Sequence, residues 1–202
     1  LFTAWIASFY GILQYFGIEI LWSKVLNPYG GRCVSTFGNP NFLSSFLVIL
    51  IPFALGQMAL AESLPNKLVY FITSCTMFTA LICTLTRSSW VGLFAGIIVM
   101  LILGWQLARV LLVKNRNWII AIAVVFLAAI FLMPRSSVEG YHPSVIERLT
   151  EIKTTTKQVY APVHQRVLIW SCAWDMIQEK PIFGKGWGLF ELFYPLYQGK
   201  YL

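Results

Sequence analysis

Residues 41–60 read NFLSSFLVILIPFALGQMAL, twenty consecutive residues without a charged side chain. At a rise of about 1.5 Å per residue, a helix of this length spans about 30 Å, the thickness of the hydrocarbon core of a bilayer. A stretch of this kind predicts a transmembrane helix, and with it an all-α integral membrane protein.

Four further apolar stretches predict four more spans, so that the predicted transmembrane helical region covers residues 1–134. The turn-forming Pro65 precedes the third span, and the charged Arg87 precedes the fourth. The five predicted spans lie near residues 1–22, 41–60, 68–86, 90–108 and 118–134.

The charged residues are few and unevenly placed. Hydrophobic residues make up 58% of the chain and charged residues 11%, and the mean hydropathy is +0.71. Soluble domains carry about 25% charged residues. Nine of the 23 charged residues lie in residues 1–134 and 14 in residues 135–202. Residues 135–202 are therefore predicted to form a large water-facing loop. Because apolar or aromatic sequence runs into both ends, we expect the chain to be a fragment of a larger helical bundle, with this loop truncated.

Basic residues in short loops predict which side of the membrane each loop occupies. The pattern places a short loop at 109–117, which contains Arg109, Lys114 and Arg116. Short loops rich in basic residues favour the cytoplasm. With five spans, Arg32, Arg87 and residues 135–202 then share the outer side. The net charge of +7 is spread over the loops without a basic face, which favours phosphate-bearing or anionic lipid over nucleic acid as a partner.

The loop is predicted to contain one amphipathic helix, near residues 164–179. Val167, Trp170, Trp174 and Ile177 recur at spacings of three and four, and Pro181 ends the pattern. This apolar stripe predicts a helix along the membrane surface. The glycines around Lys185 lack the spacing of a phosphate-binding loop and predict a turn.

Three arginines are the candidate ligand-binding residues: Arg32, Arg87 and Arg166. A guanidinium stays charged and binds phosphate oxygens in pairs. Arg87, between two spans, has an alternative interpretation as an interfacial anchor whose stem reaches the headgroups. Arg32 opens the run that leads into the second span, where Asn41 is predicted to cap the helix.

Other chemistry has little support in the sequence. His142 and His164 are the two histidines, and neither belongs to a hydrolase motif. No metal site and no cofactor are expected. Cys33 and Cys172 are predicted to be free thiols, since no paired-cysteine motif is present.

Three strings, taken in order, resemble the bacterial O-antigen ligase and polymerase family. They are RCVSTFGNPN at 32–41, LTRSSW at 85–90, and RVLIW at 166–170 followed by PIFGKGWGLF at 181–190. The resemblance covers most of the chain. The family's turn usually reads Ser-Arg-Gly, whereas this chain has Thr86-Arg87-Ser88.

The resemblance implies a glycosyltransferase of the bacterial inner membrane with a large periplasmic loop. Such enzymes move a glycan from a polyprenyl diphosphate carrier to an acceptor hydroxyl on a lipid, glycan or protein, in lipopolysaccharide or other surface polysaccharide biosynthesis. By family match, Arg87 and Arg166 hold the donor diphosphate. Arg32, which the parity of five spans places on the same side of the membrane, is the third candidate for binding it. The family's candidate base, a histidine, is expected beyond Leu202.

Two alternatives stay open: a polytopic transporter of bicarbonate or another small solute, and a non-catalytic scaffold of a polysaccharide assembly complex. A transporter predicts ionisable groups and broken helices at membrane depth. The residues that suggest such a pathway are Gln14, Glu19, Gln57 and Pro52, of which Glu19 and Gln57 lie near the ends of spans.

Overall fold

The computed structural model describes residues 1–21, 29, 31–137, 144–147 and 162–201, which form two compact units divided after Leu149. Regular structure in these residues is helical. The first unit contains α1 (Phe2–Tyr15), a 3₁₀ turn (Ser35–Phe37), α2 (Pro40–Leu60), α3 (Leu64–Cys83), α4 (Arg87–Leu103), α5 (Trp105–Lys114) and α6 (Arg116–Leu132). The second unit contains α7 (Pro162–Glu179) and α8 (Phe190–Gln198).

Among the described helices, α2 and α3 are each long and apolar enough to cross a membrane. Both carry a proline in the first turn, Pro40 and Pro65, where the fixed φ suits a helix and no intrahelical bond is lost. The helices α4 and α5 satisfy the criterion only as a pair, and α6 is a shorter apolar helix of 17 residues. A helical membrane protein is thereby confirmed, whereas the count of five spans stays a prediction.

The predicted span at 90–108 is wrong as a single helix. Helix α4 ends at Leu103, and α5 leaves it at an angle of 107°. Gly104, at the break, has φ −98° and ψ 22°, and a Cβ there would lie 3.1 Å from the Met100 carbonyl oxygen. The predicted loop at 109–117 is therefore mostly helical, because Arg109 and Lys114 lie on α5.

The first predicted span, 1–22, also ends early as a helix. Gly17 has φ +76°, a left-handed conformation that glycine adopts without steric cost. The amide of Ile18 then turns back to donate to the Leu13 carbonyl at 2.9 Å. This is a glycine-terminated helix end, and it stops α1 at Tyr15.

Helix α3 is the central helix of the first unit. It packs against α1, α2, α4 and α6. Its last turn is fully enclosed, and Leu81, Ile82 and Cys83 have no exposed surface. The apolar core therefore fixes the end of α3, and with it the turn that leads into α4.

Asn115 lies at the end of the bundle opposite to the α3–α4 turn. Its buried amide nitrogen donates to the Ala59 carbonyl at 3.1 Å and to the Leu111 carbonyl at 3.0 Å. Its amide oxygen accepts from Lys67 Nζ at 2.6 Å. One side chain thus connects the ends of α2 and α5 with the beginning of α3.

The second unit contains the helix predicted near 164–179, but the buried face differs from the predicted one. Leu168, Cys172 and Met176 are buried against Tyr197 of α8. The predicted stripe is at least half exposed, from 50% at Ile177 to 68% at Trp170. Helix α7 carries apolar side chains on two faces, and α8 packs against one of them. The prediction that the other face lies along a membrane surface is untested.

Residues 180–189 form the predicted turn between α7 and α8. Gly184, Gly186 and Gly188 all have positive φ. Lys185 pairs with the Glu179 carboxylate, which also accepts from the Tyr197 hydroxyl at 2.5 Å. Lys185 therefore holds the turn against the end of α7, to which Tyr197 of α8 also bonds.

The Glu179 contacts predict a dependence of the second unit on pH. The hydrogen bond from Lys185 lowers the pKa of Glu179 below its ordinary 4.5. A depressed carboxyl pKa gives stability that is present above the ordinary value and lost as the pH falls through the folded value. We expect the amide protection factors of α8, which are corrected for the intrinsic exchange rate at each pH, to fall as the pH drops below the ordinary carboxyl pKa. Glu179→Gln should exchange faster already at pH 7, and an unchanged exchange rate would contradict this assignment.

Candidate functional site

One end of the first unit brings together segments that are distant in sequence. The Tyr15 carbonyl accepts from Ser137 N at 3.1 Å, and the Tyr15 hydroxyl donates to the Pro134 carbonyl at 2.9 Å. Cys33 N donates to the Cys83 carbonyl at 3.2 Å. The end of α1, the segment before α2, the end of α3 and the end of α6 therefore lie at the same end of the bundle.

Arg32 is the centre of polar contacts at this end. Its Nε donates to the Thr84 carbonyl at 2.7 Å, and its Nη2 donates to Thr86 Oγ1 at 2.7 Å and to Asn41 Oδ1 at 3.3 Å. The side chain thus connects the beginning of α2 with the turn between α3 and α4. We call Arg32, Asn41, Thr86 and Arg87 the arginine cluster.

Asn39, and not Asn41 as predicted, caps α2. The Asn39 side-chain oxygen accepts from Asn41 N at 2.8 Å, as an N-cap residue does. Pro40 occupies the first helical position, which identifies the preceding residue as the cap. The Asn41 side chain is consequently available to accept from Arg32.

The turn between α3 and α4 has an unusual backbone. Leu85 is buried and has φ +51°, in the left-handed region that side chains with a Cβ disfavour. Its amide donates to the Ile82 carbonyl at 2.9 Å, and the Thr84 hydroxyl donates to the Leu81 carbonyl at 2.7 Å. Packing and hydrogen bonds together maintain a conformation that the local sequence does not favour.

Arg87 follows this turn as the first residue of α4 and is partly buried. Thr86, at the N-cap position, makes no side-chain hydrogen bond to the helix, because its hydroxyl contacts Arg32 and Asn41. The beginnings of α2 and α4 are joined by Ser89 and Ser44, whose hydroxyl oxygens are 2.8 Å apart. Two arginines and two helix N-termini make this end attractive to an anion.

Gln14 and Glu19, the polar residues of the first predicted span, have structural partners. The Gln14 amide oxygen accepts from Ser35 N at 2.6 Å, and its nitrogen donates to the Glu19 carboxylate at 3.1 Å. Glu19 also accepts from the Tyr10 hydroxyl. These contacts attach the segment after Arg32 to α1.

Arg166, the third predicted arginine, lies on α7 of the second unit and is exposed. Within the first unit, the structure places Arg32 against Thr86, the residue before Arg87. The joint action of Arg166 with Arg87 stays a prediction. His142 lies outside the described residues, as does the side chain of His164. No cluster of His, Cys, Asp or Glu suited to a metal ion occurs among the residues that the structure describes.

Cys33 and Cys172 belong to different units and are free thiols in the structure. The Cys33 thiol donates to the Ala80 carbonyl at 3.5 Å. Burial raises its pKa to about 12, so the thiol stays protonated at neutral pH. Its position in the core makes it a packing residue.

A cavity of about 510 Å³ lies beside the α4–α5 break and carries apolar side chains throughout its lining. It is formed by α2 to α6, with Phe78, Phe94 and Phe126 among its walls. A pathway for a polar solute needs ionisable or hydrogen-bonding groups. The broken helix therefore borders an apolar space, which does not favour the transporter alternative.

The sequence indicated Arg32 and Arg87 as candidates but not Thr84 and Thr86 as the partners of Arg32. Thr84 and Thr86 are 52 and 54 positions away from Arg32, and a contact over that distance leaves no local pattern. The Thr-Leu-Thr-Arg order at the end of an apolar helix is the available signal, since hydroxyl residues favour helix N-caps.

Comparisons with known proteins identify relatives. The family described as O-Antigen ligase matches residues 72–201, more than half of the chain, including Arg87 and Arg166 but not Arg32. The general O-oligosaccharyltransferase of Acinetobacter baylyi (strain ATCC 33305 / BD413 / ADP1) is 29% identical over 192 residues. That alignment covers 92% of this chain and 31% of the relative, so the chain spans less than a third of the relative's length. No solved structure matches the chain.

Proposed function

Because the chain belongs to the O-antigen ligase family, we propose that it is part of a membrane glycosyltransferase that moves a glycan from a polyprenyl diphosphate to an acceptor hydroxyl. The observation that carries the proposal is the arginine cluster at one end of the bundle, of which Thr86 and Arg87 lie inside the family match. The named activity of the Acinetobacter relative, oligosaccharide transfer, agrees with this reaction class.

The proposed reaction is a displacement at the anomeric carbon. The acceptor oxygen forms a bond to that carbon, while the bond to the diphosphate oxygen breaks and its electron pair leaves with the lipid diphosphate. The hydroxyl proton passes to a general base, for which the family resemblance implies a histidine C-terminal to residue 202. A base of this kind contributes roughly 10² to 10⁴ in rate.

Arg87, assisted by Arg166, is proposed to bind the diphosphate. A guanidinium donates two parallel hydrogen bonds to phosphate oxygens and keeps its charge as negative charge develops on the leaving group. The N-terminus of α4, without a side-chain cap, adds a favourable dipole at the same place. In this proposal the enzyme lies in the bacterial inner membrane with residues 135–202 on the periplasmic side.

Reconstitution of the full-length protein tests the proposed function. Proteoliposomes that contain a polyprenyl-diphosphate-linked glycan and a candidate acceptor should yield glycosylated acceptor and an equal amount of free polyprenyl diphosphate. Mass spectrometry measures both products. Uptake of labelled bicarbonate by the same vesicles, without product formation from any donor and acceptor pair, would instead support the transporter.

A further inference from the structure

Arg32 binds protein groups through its Nε and Nη2 nitrogens. Its Nε contacts a backbone carbonyl, and its Nη2 contacts a threonine hydroxyl and an asparagine oxygen. The side chain is partly buried. A guanidinium with several fixed acceptors has a defined orientation, which distinguishes Arg32 from a mobile surface arginine.

The two shortest hydrogen bonds of Arg32 are made to the residues that flank Leu85, the strained residue of the α3–α4 turn. Thr84, whose carbonyl accepts from Nε, precedes Leu85, and Thr86, whose hydroxyl accepts from Nη2, follows it. Leu85 has φ +51°. Unfavourable backbone conformations persist where surrounding contacts determine them, and Arg32 supplies two of those contacts.

Thr86 is joined by one peptide bond to Arg87. The Thr86 hydroxyl contacts Arg32 and does not cap α4. Because Thr86 immediately precedes α4, its position relative to α2 determines where α4 begins and in which direction Arg87 leaves the turn. The Asn41 oxygen, which also accepts from Arg32 and from Thr86, completes the connection to α2.

We propose that Arg32 is a positioning residue: it holds the Leu85 turn through Thr84 and Thr86 and thereby directs Arg87 toward the donor diphosphate. This inference rests on the proposed function. It revises the sequence-based assignment of Arg32 as a direct ligand, and it predicts that the effect of Arg32 on catalysis passes through Thr86 and Arg87.

Thr86→Val is the informative substitution, because it keeps the shape of the side chain and removes only the hydroxyl. Thr86→Ser keeps the hydroxyl and should retain activity. Thr79→Val is the matched control, since it removes a threonine hydroxyl that donates to the Cys75 carbonyl of its own helix, α3, at 2.9 Å, and it should retain activity.

The experiment measures kcat and KM for the lipid-linked donor with the full-length protein in proteoliposomes. Arg32→Lys and Thr86→Val should each lower kcat about tenfold with a smaller change in KM, because an interaction of the transition state is misaligned. The kcat of the Arg32→Lys/Thr86→Val double variant should lie no more than about twofold below that of either single variant, since the two residues act as one unit. Thr86→Val should likewise add little to Arg87→Lys. The midpoint of thermal unfolding in detergent verifies that each variant is folded.

Two results would overturn the positioning role and favour direct donor binding by Arg32. One is a wild-type kcat in Thr86→Val. The other is a fold loss of kcat in the Arg32→Lys/Thr86→Val variant that equals the product of the two single losses. Arg87→Lys separates this failure from a failure of the proposed function. If Arg87→Lys is fully active, the donor site itself is misassigned. If Arg87→Lys is impaired while Thr86→Val is normal, only the positioning role fails.

Discussion

Replacing Arg87 by lysine should lower glycan transfer by about tenfold to a hundredfold, with little change in folding. Lysine keeps the positive charge and the long apolar stem but loses the planar pair of donors. If Arg87 were only an interfacial anchor, lysine would serve about as well, because both side chains reach the headgroups. The measurement is transfer by the full-length protein at matched membrane levels.

A control and a second arginine sharpen this prediction. Arg109 is an exposed arginine on α5, away from the arginine cluster, and Arg109→Lys should leave transfer unchanged. Arg166→Lys should also reduce transfer, and the Arg87→Lys/Arg166→Lys pair should lose less than the product of the two single losses, because both are proposed to bind one diphosphate. Wild-type transfer by both single variants would reject the arginine site and restore the anchor interpretation.

Replacing Asn115 by leucine should destabilise the protein by about 2–4 kcal/mol, the largest effect on folding that we expect from a single polar residue here. The substitution removes the donor to the Ala59 and Leu111 carbonyls and the acceptor of Lys67 Nζ. Asn115 has no exposed surface, so water cannot replace these contacts without rearrangement.

The midpoint of thermal unfolding of the full-length protein in detergent measures this effect. Asn66→Leu is the matched control, because Asn66 is an exposed asparagine beside Lys67. We expect a clear decrease for Asn115→Leu and a negligible change for Asn66→Leu. Equal midpoints in the two variants would mean that the Asn115 contacts do not contribute to stability.

The sequence by itself determined the class of the protein and indicated the arginines that are proposed as its site. The apolar stretch at 41–60 requires a helix because backbone polar groups in a bilayer core must bond within their own segment. Pro40 and Pro65 indicate the starts of two helices, a local effect of backbone chemistry that can be read along the chain. Gly17 and Gly104, by contrast, lie inside the predicted spans 1–22 and 90–108, so the sequence pattern did not predict the helix ends there.

The tertiary structure decided what each arginine contacts and which helix faces are buried. The acceptors of Arg32 lie near Asn41 and between Thr84 and Thr86, and packing of α3 at the centre of the bundle brings them together. Helix α7 has two apolar faces, and Tyr197 of α8 packs against the face that contains Cys172. Hydrogen bonds and side-chain packing between distant segments depend on three-dimensional proximity, which residue order along one chain does not encode locally.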